Sequence, residues 1–255
     1  LEELEKGFIF APFDRNASTI FLPADFIFSF SGGKPIYYGD PKEETSAAWM
    51  HQLYQESQVI KKIPFGRGPQ KRSPACTRDK FQQIIEKGIQ AIEKGTFEKV
   101  VPSRTRSVPL PEGFNVVEAF QKLCIAYPNA LISFVSIPEA GDWLGATPEV
   151  LVCVEDRSVF KTVALAGTQP YHENVNVKSV AWTQKEIEEQ ALVSRYIVNC
   201  FKQIRLREFE EHGPKTIVAG NLMHLRTDFN VDLKATNFPQ LGTAMLQLLH
   251  PTSAV

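Results

Sequence analysis

Lys99 lies in Phe97-Glu98-Lys99-Val100-Val101-Pro102-Ser103-Arg104, a run whose apolar residues predict a strand. A cation there is costly to bury unless it has chemistry to perform, because low dielectric favours the neutral amine, and a neutral amine is a base. The bland alternative is a lysine that snorkels its ammonium to water from a strand end. Glu149 follows Thr147-Pro148, and the proline confines Thr147 to extended backbone, which fixes the direction in which the glutamate leaves the loop. Glu189 heads the stripe Glu189, Val193, Tyr196 and Cys200 at helical spacing, and an inward carboxylate needs a cation. His224, between Met223 and Leu225, is either a hydrogen-bonded core histidine or a ligand.

These residues are placed by elements that the pattern makes legible. Up to about Asp40 the chain reads as short strands: Phe8 to Pro12, Ser18 to Leu22, and Phe26 to Tyr38 interrupted by Ser31-Gly32-Gly33. Lys61 to Ala75 carries five cations and no acid among prolines and glycines, the composition of a surface loop. Phe81, Ile84, Ile85, Gly88, Ile89 and Ile92 recur at helical spacing between a Thr77 cap and a Gly95 stop. The strand bearing Lys99 is expected next. Asn115 and Glu118 then open a second helix closed by Pro128. Strands are expected at Ala130 to Ile137, Trp143 to Ala146, Val150 to Val154 and Ser158 to Leu165, the last two joined by Glu155-Asp156-Arg157. A helix from about Val180 to Arg207 turns Ile187, Ala191, Ile197, Val198, Phe201 and Ile204 to a core. Thr216 to Leu225 reads as one strand, and Pro239 to Leu249 as a helix stopped by Pro251.

Composition narrows the classes. The 255 residues include 28 basic and 29 acidic side chains, a net charge of -1, which leaves no global field for nucleic acid or anionic membrane and makes a small-molecule partner the default. The four cysteines are scattered, without metal-ligand spacing, as expected of reduced thiols in the cytoplasm. No apolar run has the length of a membrane span. A monomer is expected, with an oligomer left open.

Four segments in order resemble the chorismate-utilising enzymes: Lys99-Val100-Val101-Pro102-Ser103-Arg104, Gly145-Ala146-Thr147-Pro148-Glu149, Leu165-Ala166-Gly167-Thr168 and Leu249-His250-Pro251-Thr252. Lys185-Glu186-Ile187-Glu188-Glu189 looks like that family's metal-binding helix, and Met223-His224-Leu225 resembles its substrate-facing strand. The resemblance is close from about Phe97 onward. It implies an α+β fold of two stacked antiparallel sheets flanked by helices, here as one chorismate-binding domain over residues 1–255, with a variable part (1–75) and a motif-bearing part (76–255).

The family divides by what attacks the chorismate ring. Isochorismate and salicylate synthases carry lysine at the position of Lys99 and use water, whereas the ammonia-using anthranilate and aminodeoxychorismate synthases typically carry glutamine. Ala166 stands where some aminodeoxychorismate synthases have a nucleophilic lysine, so that covalent route is closed. The resemblance therefore implies isochorismate formation, in menaquinone or siderophore supply, with Lys99 as the base toward water and Glu149 as the acid toward the departing hydroxyl. Salicylate synthase and a noncatalytic binding fragment are the rivals. It further implies that Ala166, Gly167, Thr168 and His224 bind substrate and that Glu189 ligates Mg2+, with Glu186 either assisting the metal or favouring the helix N-terminus. Gln190 departs from a common histidine, Ser253 from a usual proline and Gln169-Pro170-Tyr171 from a more basic run. The family's sequence runs on beyond the His-Pro-Thr segment, so this chain is expected to be C-terminally incomplete and inactive alone.

Overall fold

The computed structural model describes residues 6–14, 16–25, 27–31, 34–38, 52, 76–138, 140–219 and 221–249. The Lys61 to Ala75 segment and His250-Pro251-Thr252 lie outside them. Two compact units divide the chain, Glu3–Ile63 and Pro64–Val255. The first holds two antiparallel hairpins, β1 (Gly7–Phe10) with β2 (Ile20–Pro23) and β3 (Ile27–Ser31) with β4 (Lys34–Tyr38), where short strands are expected. All the candidate site residues belong to the second unit.

That unit opens with α1 (Arg78–Glu93), capped by the Thr77 hydroxyl, which accepts from the Lys80 amide, and ended where Gly95 takes φ +70°. Helix α2 (Val116–Ala126) starts at Asn115, whose side chain accepts from the amides of Val117 and Glu118. A hairpin of β5 (Leu131–Ile137) and β6 (Gly141–Thr147) follows. Next come β7 (Cys153–Glu155), β8 (Val159–Pro170), α3 (Gln184–Gln203), β9 (Glu210–Ala219), β10 (Leu222–Asp232) and α4 (Leu241–Leu249). The turn between β7 and β8 runs through Asp156 and Arg157, both at positive φ. The α+β class holds: the described strands make one four-stranded antiparallel sheet, ordered β7-β8-β10-β9, and three two-stranded sheets. Pro214 is tolerated in β9 because that strand is an edge.

The core lies between this sheet and the last two helices. Alternate residues of the central strands, Phe160, Ala164 and Ala166 on β8 and Phe229 and Val231 on β10, pack with Ile197 and Phe201 of α3 and Leu241 and Met245 of α4. Period-2 alternation thus gives the sheet one face for the helices and another for other uses.

Several expectations are corrected. Phe97 to Arg104 forms no ladder with described residues and runs along α1: Val100 packs over Gly88, where a Cβ would stand 3.2 Å from its Cγ1, and the Arg104 guanidinium lies 5.4 Å from the Phe81 ring centroid. Arg104 therefore braces a helix. Val150 to Val154 is strand only from Cys153, and β8 runs on to Pro170. Thr216 to Leu225 is divided between β9 and β10, with Asn221 in a turn ahead of β10. On α3 the buried residues are Gln190, Val193, Ile197, Cys200 and Phe201, while Ile187 and Ala191 are exposed. The reason is polar: Gln190 Nε2 donates to the Ala164 carbonyl and the Thr227 hydroxyl, so a glutamine that no hydrophobicity count includes fixes which side of α3 meets the sheet. The isoleucines of α1 stay partly exposed, and no residue of that helix is buried.

One ionic cluster on the other face is a testable stability element. Asp228 on β10 accepts from Arg226 at 2.6 Å and from Lys215 of the neighbouring β9 at 2.6 Å, with its own side chain 17% exposed. Burial alone would push its carboxyl up, but the hydrogen bonds and charges of Lys215 and Arg226 outweigh that and hold it below the usual range. A depressed carboxyl contributes stability above its unfolded value and loses it as pH falls through the folded one. Asp228→Asn is expected to cost about 1.5–3 kcal/mol at pH 7, the worth of hydrogen bonds to a charged group. In urea titrations the gap to the wild type should shrink below about pH 4.

Candidate active site

Lys99 Nζ meets Glu189 Oε1 at 3.0 Å, across ninety residues of sequence, with side chains 21% and 36% exposed. The cation that Glu189 needs is thus present within the chain. Lys99 is presented by the irregular segment over α1, and Glu189 by the second turn of α3.

Glu149 lies just beyond β6. The Thr147 hydroxyl accepts its amide at 3.3 Å, a local turn that adds to the proline's constraint. Two residues on, the Leu151 carbonyl accepts from the buried Thr162 hydroxyl at 2.7 Å, so the loop is pinned at both sides. Solvent still reaches the residue, yet partial burial of the carboxyl pushes it up, with the charges of Lys99 and His224 pulling it the other way. Lys99 and His224 therefore each stand within electrostatic reach of Glu149.

His224 owes its position to an irregularity in the β8–β10 ladder. Leu225 pairs with Ala166 and His224 with Thr168, so Gly167 is the extra residue of a bulge, at φ +68°. Ala166 keeps its methyl in the core with the helices, whereas Thr168 comes round to the face of His224. His224 Nδ1 lies 3.1 Å from the Gly167 carbonyl and 3.3 Å from the Thr168 hydroxyl. A carbonyl can only accept, so Nδ1 carries a proton, and in the neutral ring Nε2 is left as an acceptor. Of the four expected substrate-binding residues, Gly167, Thr168 and His224 come together, and the Ala166 side chain does not join them.

The bulge is clamped to the start of α3. A Cβ on Gly167 would stand 3.4 Å from both Glu186 Cβ and Trp182 Cζ3, contact without overlap. Gln169 Nε2 donates to the Ala181 carbonyl at 3.1 Å and to Glu186 Oε2 at 3.0 Å. Glu186 also accepts the Thr183 amide at 2.7 Å, which completes a capping box and holds its carboxyl below the ordinary range. Glu186 thus secures the helix N-terminus, and Gln169 is a neutral link to it. Gly167→Ala is expected to cost about 1–2 kcal/mol through the positive φ alone. Thermal unfolding checks the stability.

The donor set bears on a metal. Glu189 offers a hard oxygen, and the Lys99 ammonium stands at it as a cation would. Among the described residues no three His, Cys, Asp or Glu side chains converge. A separate cavity of ≈ 620 Å³ is lined by Trp182, Ile187, Gln190, Leu225 and Thr227, on the side of β10 opposite His224. No helix among the described residues is long and apolar enough to cross a membrane.

Comparison with known proteins follows the same lines. Residues 39–255 match the family described as chorismate binding enzyme. A candidate isochorismate synthase of Aeromonas hydrophila is 24% identical over 244 residues, covering 94% of this chain and 57% of that protein. The isochorismate synthase EntC of Escherichia coli is 22% identical over 263 residues, covering 96% of this chain and 65% of that one. Among solved structures, MenF, the menaquinone-specific isochorismate synthase of Escherichia coli, superposes with a TM-score of 0.64 at 21% identity over 95% of this chain and 57% of that chain. The chain thus spans less than two thirds of the length of these relatives.

Proposed function

The chain belongs to the chorismate-binding enzyme family, and on that premise we propose that it works as an isochorismate synthase, in the supply of menaquinone or a siderophore. The observation that carries the reading is the convergence of an amine and a burial-raised carboxyl: Lys99 and Glu149 come from segments fifty residues apart and act on each other electrostatically.

In this reaction water adds at C2 of chorismate while the C4 hydroxyl leaves and the ring double bonds shift. Lys99 takes the proton of the attacking water as its oxygen bonds to C2. Glu149 gives its proton to the C4 oxygen as that bond breaks, so the departing group is water. The two residues end with their protons exchanged, and transfer through solvent resets them. Raising the Glu149 carboxyl suits an acid, because it keeps its proton to higher pH. Thr168 and the Gly167 backbone would take a substrate carboxylate, and His224 Nε2 would accept from a substrate hydroxyl. Glu189 would hold Mg2+, whose chemistry there is to neutralise a carboxylate of the substrate. The same reading extends the α+β architecture to two stacked antiparallel sheets and places the protein in the cytoplasm.

Incubation with chorismate and Mg2+, followed by chromatography and calorimetry, tests the reading. Isochorismate as product supports it. Salicylate with pyruvate would move the chain to the salicylate synthases, which share the lysine. Binding without conversion would leave a binding module, and no binding would refute all three.

A further inference from the structure

A polar side chain in a core needs a hydrogen bond, and the partner it takes shows what it is for. Among the described residues the buried polar side chains are Thr162, Gln190 and Thr227. Gln190 and Thr227 bond each other between α3 and β10. Thr162, 1% exposed, is the polar exception in the inward row Phe160, Thr162, Ala164 and Ala166 of β8, and its hydroxyl donates to the Leu151 carbonyl at 2.7 Å. We propose that Thr162 is a positioning residue for Glu149: its hydroxyl holds the loop that presents the acid, so that the carboxyl stays in the site. This rests on the isochorismate synthase reading and adds to it a residue that acts through another.

The ladder shows why a side chain is needed there. Pairing of β7 with β8 ends at Cys153 and Lys161, and one step further the register would set Val152 opposite Thr162. The backbone leaves the sheet at that step, and the Thr162 hydroxyl takes over from the ladder by catching the Leu151 carbonyl. Leu151 and Val152 pack against the core as they pass. On the other side of Glu149, β6 ends at Thr147, whose hydroxyl accepts the Glu149 amide. That bond is local and travels with the loop, whereas the bond from Thr162 ties the loop to a central strand of the sheet. Leu151 is two residues from Glu149, so the tether acts through about 7 Å of backbone at most. Burial of the Glu149 carboxyl is a product of this placement, and the charged groups that face it are Lys99 from the segment over α1 and His224 from β10. Burial is the larger influence, so a carboxyl released toward water falls back toward the ordinary range.

The test reads Glu149 directly. Carbon-13 NMR titration of the glutamate-labelled chain, with Glu149 assigned by the signal missing from Glu149→Gln, is run without substrate on the wild type, Thr162→Val and Thr162→Ser, each checked for folding by circular dichroism. Thr162→Val keeps the shape and loses the hydroxyl, and its Glu149 midpoint should fall below that of the wild type. Thr162→Ser, which restores the donor, should titrate with the wild type. With chorismate, Thr162→Val should lose about 10–100-fold in kcat with KM little changed, the worth of a displacement on the order of 1 Å. Its activity should also fall off at lower pH, and Thr162→Ser should recover both. Where valine prevents folding, Thr162→Ala, which removes hydroxyl and bulk together, is read in the same way. An unmoved midpoint in the folded hydroxyl-free variant, or a serine variant displaced as far as the valine one, would overturn the positioning role. Absence of isochorismate from the wild type would count against the function alone, because the substrate-free titration decides the positioning by itself.

Discussion

Replacing Lys99 by methionine is expected to lower isochorismate formation by about 10²–10⁴-fold, the usual worth of a positioned general base. The loss should fall on kcat, with KM little changed, because on the proposed reading the amine acts on the attacking water and not on the substrate's carboxylates. Assays at saturating Mg2+ keep ion affinity out of the comparison. Glu149→Gln should lose a similar factor, since an amide has the shape of the acid but no proton to give. The pH profile separates the two roles. Burial raises the Glu149 carboxyl, so the competent protonated form persists above the ordinary carboxylate range near 4.3 and activity falls as pH rises through the raised value. The residual activity of Glu149→Gln should lack that alkaline limb. Retention of the limb would remove Glu149 from the role of acid.

Phe201→Ala should be the most damaging core truncation that leaves the site chemically intact. The ring is fully buried on α3, edge-on to Phe160 at 6.2 Å and to Phe229 at 6.0 Å, and tilted against Phe209 at 4.9 Å. Removing it takes one aromatic from each of three neighbours and opens a void that β8 and β10, held in register by their ladder, cannot close. The expected cost is about 3–5 kcal/mol, a large share of the roughly 5–15 kcal/mol that holds a typical domain together. Urea denaturation followed by circular dichroism measures it, and a change below about 1 kcal/mol would mean that the helix–sheet interface is looser than its burial implies. Because α3 also carries Glu189, chorismate binding should fail along with the fold.

What can be read from the sequence is local in its physics. Thr77 and Gly95 bracket α1, Asn115 opens α2 and Asp156-Arg157 turns β7 into β8, each through interactions within a few residues. The division between β9 and β10 is harder to see, because an apolar run on either side of Gly220-Asn221 outweighs the turn signal of that pair. The polar start of β9 looks unlike a strand, being an exposed edge. The inward side of α3 is hidden for another reason: its decisive residue, Gln190, faces inward through hydrogen bonds and not through hydrophobicity. At the site, the need of Glu189 for a cation is legible while the identity of its partner is not, since periodicity carries nothing about contacts ninety residues apart. Adjacency alone puts Ala166 beside Gly167 and Thr168. The bulge sends Ala166 and Thr168, two residues apart, to opposite sides of the sheet.

That bulge makes residue count part of the chemistry. Were the ladder to run on unbroken with Gly167 paired to His224, every side chain from Thr168 to the end of the strand would change sides: the hydroxyl would turn under the helices and Gln169 would face the side where Thr168 had been. The damage would be a frameshift written in space, with all the downstream residues present and each facing the wrong way. A glycine whose own side chain is a hydrogen atom thus keeps the reading frame of the surface on which the substrate would rest.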